Sequence, residues 1–246
     1  MGLGRRDVIK ALGAAGVSIA AASCSDRRTE TITASAATAA SPSLAIESRP
    51  EAADMTPDQA LQLLLDGNKR YVEGKSIHPR ESIARIRDTA ADQYPFAAFL
   101  SCADSRVPAE EVFDQGIGDC FVCRVAGNIA TNEEIGSLEF GSLVLGSKVL
   151  LVIGHERCGA VVAAMGRMTL PSNPGLIPTL VPLIEPAVKT IAAKVAAEGA
   201  ESVGDDVDAT IKLNVHNQVA LLKRSPILSQ LERENKLKIC RLLLTD

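Results

Sequence analysis

Three short, largely apolar runs, PFAAFLSC (95–102), CFVCRVA (120–126) and KVLLVIGH (148–155), constrain this chain more than any other feature of it. A half-exposed strand alternates apolar and polar residues, whereas a strand covered on both faces reads apolar throughout, so these runs predict buried parallel strands. Around them the apolar spacing changes to the helical period. EEIGSLEFGSLVLG precedes the third run and CGAVVAAMGRM follows it. Then come PTLVPLIEPAVKTIAAKVAAEG, broken by prolines, a helix over 206–223 and a last short run, LKIC. Upstream, TPDQALQLLLDGNKRYVEG opens with an N-cap threonine and a first-turn proline. It sets Ala60, Leu61, Leu64, Leu65 and Tyr71 at helical spacing, with Gly67 an imperfection and Gly74 a C-cap. Strands alternating with helices define an α/β fold with a mostly parallel β-sheet and flanking helices. In such sheets ligands bind at the carboxyl ends of the strands.

At 246 residues and 46% apolar composition, the chain holds enough material for one folded domain plus appendages. The first appendage is a charged start with paired Arg5 and Arg6, followed by an apolar run over 8–22 weakened by Gly13 and Gly16. The run is shorter than the roughly 20 residues a spanning helix needs, and it is laid out as a signal peptide. Its paired arginines resemble the twin-arginine signal of bacteria, which exports folded proteins. We therefore expect a signal peptide over 1–24, a disordered linker rich in Ala, Ser and Thr over 25–54, and a folded domain over 55–246. The expected location is the periplasm or cell envelope. Cys24, after Ala21, Ala22 and Ser23, is a candidate lipid anchor, and a competing cleavage pattern lies at Ala34, Ser35 and Ala36. A net charge of −4 with scattered Lys and Arg gives no basic patch, which argues against nucleic-acid binding.

Six irregularly spaced cysteines do not form a disulfide framework and must be judged by their neighbours. Cys102 lies in CADSR and Cys158 in HERC with His155, each cluster at the end of an expected strand. Two thiolates and an imidazole are a ligand set matched to Zn2+, and three protein ligands leave a tetrahedral ion one open position. An HxxC pair at a helix start brings both side chains to one face, and a helix N-terminus favours the thiolate of Cys158. Taken singly, each cysteine also fits a buried apolar role and His155 a helix cap. Cys120 and Cys123 form a CxxC inside a strand, where residues three apart point to opposite faces, which removes the context of a redox motif. His78 and His216 stand apart from any other ligand pattern and read as surface or packing residues.

CADSR followed by GHERCGA, with VAGN (125–128) and the LLLDGNKRYVEGK helix, resembles the β-class carbonic anhydrases over about 56–239. The resemblance implies a doubly wound α/β fold assembled as homodimers or multiples of dimers, with the site at the dimer interface. It implies one Zn2+ per chain on Cys102, His155 and Cys158, and an acid–arginine dyad of Asp104 and Arg106. Asp104 also becomes a candidate fourth ligand in a closed state. Gln93 matches the family's substrate-binding glutamine and Phe121 an apolar wall residue. The implied reaction is reversible hydration of CO2 to bicarbonate and a proton by zinc-bound hydroxide, that of a lyase. A carboxylate paired with Arg106 loses proton affinity, which suits Asp104 to orientation rather than to general-base work. Two other readings share the fold: a zinc hydrolase of carbon disulfide or carbonyl sulfide, and a zinc-bound inactive assembly module.

The chain departs from the family pattern in four places. Phe140 stands where plant-type members carry a tyrosine, and the absence of Trp argues against the bacterial subtype that uses one beside the site. Glu156 and Arg157 put two charges where relatives carry small or polar residues. After LKI, where relatives continue with a Gly- and Tyr-containing stretch, Cys240 leads into RLLLTD. That tail reads as a truncation or frame shift, expected to weaken folding and assembly more than the metal site.

Overall fold

The computed structural model describes residues 54–199 and 205–245, so the expected signal peptide and almost all of the expected linker lie outside the described residues. Four parallel strands form one sheet in the order β2-β1-β3-β4: β1 Ala97–Ser101, β2 Cys120–Arg124, β3 Val149–His155 and β4 Lys238–Leu244. Every residue of the two central strands is buried, as their apolar sequence requires, whereas β2 is not the buried strand expected: at the sheet edge it is only half-buried, with Arg124 exposed. The sheet separates two cores. One face carries Ala97, Phe99, Leu151 and Ile153, and the other Ala98, Leu100, Leu150 and Val152. Each large side chain buried there contributes about 1.5–3 kcal/mol.

Helix α1, Pro57–Val72, starts in a complete capping box, the Thr56 hydroxyl accepting from the Gln59 amide while the Gln59 side chain accepts from the Thr56 amide. Gly74 lies one residue past the Glu73 cap, at φ +66°, where glycine is the residue that fits. Gly67 is no imperfection, because a Cβ there would sit 1.8 Å from the Phe113 carbonyl oxygen. The helix needs the missing side chain in order to pack.

Short helices α2 (Ile83–Asp88) and α3 (Ala109–Val112) lie before and after β1. Helix α4, Asn132–Glu139, runs into a single π-helical turn over Phe140–Val144, closed by the Leu145 amide on the Phe140 carbonyl at 3.1 Å. Gly141 in that turn rests against the Phe121 ring, where a Cβ would come within 2.8 Å. After β3 come α5 (Gly159–Ala164) and a short 3-10 turn (Ile177–Leu180), leading into α6, Val181–Glu198. Pro186 does not break α6 as its sequence suggested. It lies in the second turn, where it forgoes one backbone bond, and its own carbonyl accepts from the Thr190 hydroxyl. Helices α7 (Asp206–Leu222) and α8 (Pro226–Arg233) lead back to the sheet.

The LKIC run is longer than its sequence suggested. Arg241 to Leu244 do not interrupt the LKIC run but continue β4 in register with β3, ending at the pair His155↔Leu244. The Glu156 amide donates to the Leu244 carbonyl at 3.1 Å, so the tail buttresses the turn that follows His155. Among the described residues no helix is long and apolar enough to cross a membrane.

Candidate metal centre

Strands β1 and β3 are hydrogen-bonded neighbours, and their carboxyl ends deliver Cys102 and His155 side by side. Cys158 reaches the same point from the N-cap of α5. Helical periodicity does not bring His155 and Cys158 together, as the HxxC spacing suggested. His155 ends the strand, and Arg157, at φ +55°, turns the chain so that Cys158 folds back. The donor atoms of Cys102, His155 and Cys158 all lie within 4.8 Å of one another, and all three residues are buried. The two sulfurs are 3.9 Å apart.

The electrostatics of the cluster show whether a cation would fit it. His155 Nδ1 donates to the Glu156 carbonyl at 2.9 Å, which turns Nε2 and its lone pair toward the sulfurs. Nε2 is buried without a hydrogen-bond partner. Cys102 is drawn well below the ordinary thiol range by the Cys158 thiol against the opposing effect of burial, with His155 and the Gly127 amide adding to the effect. Cys158 is pushed far up by Cys102 and by burial. The two cysteines thus share one negative charge and one proton. A divalent cation would take up the orphaned imidazole lone pair and displace the remaining proton, so the residues fit zinc.

Asp104 lies beside the triad, its Oδ2 3.8 Å from His155 Nε2. Arg106 holds it from three sides: Nε on Oδ1 at 3.0 Å, a terminal nitrogen on Oδ2 at 2.9 Å, and the backbone amide on Oδ1 at 3.0 Å. The guanidinium, then that amide, keeps the Asp104 carboxyl far below the usual range.

Gln93 and Phe121 are not brought to this triad. Gln93 is exposed ahead of the amino end of β1, so roughly 13 Å of strand separates it from the carboxyl end, at about 3.3 Å per residue. Phe121 pairs with Ala98, in the amino half of the sheet, and its ring meets Phe140 at 6.4 Å. A carboxyl-end site cannot collect amino-end residues of its own parallel sheet. Cys120 and Cys123 do point into opposite cores, as their spacing implied. His78 is less isolated than its sequence context suggested, with Glu81 and Glu111 around it in an exposed cluster.

The structure adds residues that sequence reasoning passed over. Arg124, at the end of β2, donates to the carbonyls of Cys102 at 3.0 Å and Asp104 at 2.6 Å, fixing the CADSR backbone. The Gly127 amide donates to Cys102 Sγ at 3.3 Å. Asn214 and Gln218 of α7 are fully buried and bond the loop around Gly127. Two carboxamides four residues apart on the apolar face of a helix were a readable signal for them.

A parallel α/β sheet with a Cys-His-Cys cluster across two adjacent strand ends, flanked by an Asp-Arg pair, defines a β-class carbonic anhydrase-like metalloprotein. The comparisons agree. The family model described as carbonic anhydrase matches residues 97–245, and the chain belongs to that family, in its β class. It is 43% identical over 119 residues to carbonic anhydrase 2 of Mycobacterium tuberculosis, covering 48% of this chain and 58% of that one. With the carbonic anhydrase of Mycolicibacterium smegmatis it shares 43% over 112 residues, covering 46% and 54%. The chain thus spans little more than half the length of these relatives. Among solved structures, a Coccomyxa β-carbonic anhydrase in complex with acetazolamide is 27% identical at a TM-score of 0.57, over 75% of this chain and 82% of that one. A β-carbonic anhydrase of Aspergillus fumigatus is 26% identical at 0.56, over 75% and 86%. Two tetrameric β-carbonic anhydrases of Sordaria macrospora share the fold, at 0.56 and 23% identity over 75% and 91%.

Proposed function

We propose that this chain is a zinc-dependent carbonic anhydrase that interconverts carbon dioxide and bicarbonate. The observation that carries the reading is the buried Cys102, His155 and Cys158 cluster, with its orphaned imidazole nitrogen, beside an Asp104 committed to Arg106. When zinc is bound, the chemistry it supplies is Lewis acidity, which makes hydroxide available from water near neutral pH. His155 presents Nε2 because its Nδ1 proton is held by the Glu156 carbonyl. Asp104, kept ionised by Arg106, is an acceptor with no useful basicity at neutral pH, so its work is to accept a hydrogen bond from the attacking nucleophile and orient it.

Substrate contacts come from a second copy. Gln93 and Phe121 lie far along the sheet from their own triad, and the turn beside Phe121 exposes Phe140, Leu143 and Val144. A two-fold dimer through that apolar surface would carry Gln93 and Phe121 of one copy toward the triad of the other. Export through a twin-arginine signal is part of the same proposal. Folding before transport lets Cys102 and Cys158 take up zinc in a reducing cytoplasm, before an oxidising compartment can pair them.

The test is metal analysis joined to stopped-flow carbon dioxide hydration on the purified chain. About one zinc per chain with hydration activity is the expected result. A zinc-loaded chain without hydration would point to the inactive assembly module, and sulfide release from carbon disulfide to the hydrolase. For export, replacing both Arg5 and Arg6 by Lys should retain the protein in the cytoplasm.

A further inference from the structure

The loop that follows β2 is held from α7 by side chains that a helix facing an apolar core would not otherwise carry. Asn214 Nδ2 donates to the Gly127 carbonyl at 2.9 Å. Gln218 Nε2 donates to Asn214 Oδ1 at 2.9 Å and to the Leu183 carbonyl at 3.0 Å, while its Oε1 accepts from the Ala130 amide at 2.8 Å. Both side chains are 0% exposed. Burying two carboxamides is costly unless they are satisfied, and here their bonds go to the loop, to α6 and to each other, none to the backbone of α7. The object they grip is specific. Gly127, at φ +79°, has no room for a side chain, since a Cβ would meet Ile184 Cδ1 at 2.7 Å, and its amide points at Cys102 Sγ. The bonds therefore form one chain from Gln218 through Asn214 and Gly127 to the sulfur.

We propose that Asn214 and Gln218 are positioning residues of the metal centre: they lock Gly127 so that its N–H engages one lone pair of Cys102 Sγ and leaves the sulfur facing the ion. A structural role alone would require only that the helix pack. A positioning role requires that metal binding respond to these two side chains beyond any loss of stability. The proposal rests on the zinc reading and deepens it.

The experiment measures zinc affinity of the full chain by chelator competition, and the thiolate-to-metal absorption of its cobalt(II)-substituted form. Variants are Asn214→Ser, which is too short to reach Gly127, and Gln218→Met, which keeps the volume and loses the polar atoms. Leu222→Ala, at a buried position of α7 outside this bonding, serves as the destabilised control. Expected is a fall in zinc affinity of about 10–100-fold and an altered charge-transfer band for the first two variants, with the folded control unchanged. Wild-type affinity and absorption in folded Asn214→Ser and Gln218→Met would overturn the proposal, as would an equal loss in the control. Should the wild-type chain fail to bind zinc, or Cys102→Ser bind it unchanged, the metal reading itself falls and this proposal with it.

Discussion

Asp104 Oδ2 lies 3.8 Å from His155 Nε2, too far for a hydrogen bond, while both of its oxygens are held by Arg106. The carboxylate is therefore committed to Arg106 at the edge of the metal cluster. Replacing it by Asn keeps the shape but gives the nucleophile a weaker, uncharged acceptor or a donor. Asp104→Asn should lower kcat/KM for carbon dioxide hydration by at least about 10-fold while zinc content stays unchanged, measured by stopped-flow and metal analysis. Full retained activity would remove Asp104 from the mechanism.

Asp114 supplies a pH-dependent part of the stability. Its side chain is fully buried, which pushes its pKa up, but Arg70 at 2.6 Å and the amides of Ile77 and His78 outweigh burial and leave it lowered. The unfolded chain regains an ordinary carboxyl near pH 3.9. A folded pKa below the unfolded one means that the contribution is complete above the unfolded value and is lost as pH falls through the folded one. Urea unfolding should show Asp114→Asn less stable by about 2 kcal/mol at pH 7, the difference shrinking below about pH 4. A gap that held constant down to pH 2 would contradict this.

What the sequence made legible was whatever rests on local pattern. All three runs became strands, but only β1 and β3 are covered on both faces; β2 lies at the sheet edge, half-buried with Arg124 exposed, and the capping box of Thr56 and Gln59 lies within one turn. The metal ligands were readable because Cys102 and His155 are rare residue types at strand ends and Cys158 follows three residues after His155. What local pattern does not report is direction and packing. Gln93 and Phe121 belong to the amino half of the sheet, which no motif reports, and Gly67 looked like a flaw because the Phe113 carbonyl lies 46 positions away in sequence. Helix α8 was passed over although Ser225 and Pro226 mark its start. The close approach of Gly141 in the π turn to the Phe121 ring joins two separate elements, which no local pattern reports.

Gly67 gives a prediction that opposes helix propensity. Alanine in a helix interior is intrinsically favoured over glycine by about 1 kcal/mol. At this position, however, the added methyl would meet backbone, the Phe113 carbonyl oxygen, which cannot rotate away as a side chain would. Gly67→Ala should therefore destabilise the fold by roughly 2 kcal/mol or more, read as a lower urea midpoint at unchanged slope. An increase in stability would show that α1 does not pack on Phe113 in solution.

The placement of Gln93 and Phe121 makes the dimer testable through a surface remote from any metal ligand. The π turn exposes Phe140, Leu143 and Val144 at 47%, 54% and 64%, a grouping of large apolar side chains that a lone chain would leave to water. If this surface joins two copies, a charge there separates them without touching Cys102, His155 or Cys158. Val144→Asp should sediment as a monomer where the parent sediments as a dimer or tetramer, and should keep one zinc per chain. Its hydration rate should fall by about 100-fold, because the groups that place the substrate leave with the second copy. A monomeric Val144→Asp chain with full activity would mean that each triad works alone and that Gln93 and Phe121 take no part in catalysis. An unchanged oligomer would place the interface on another face.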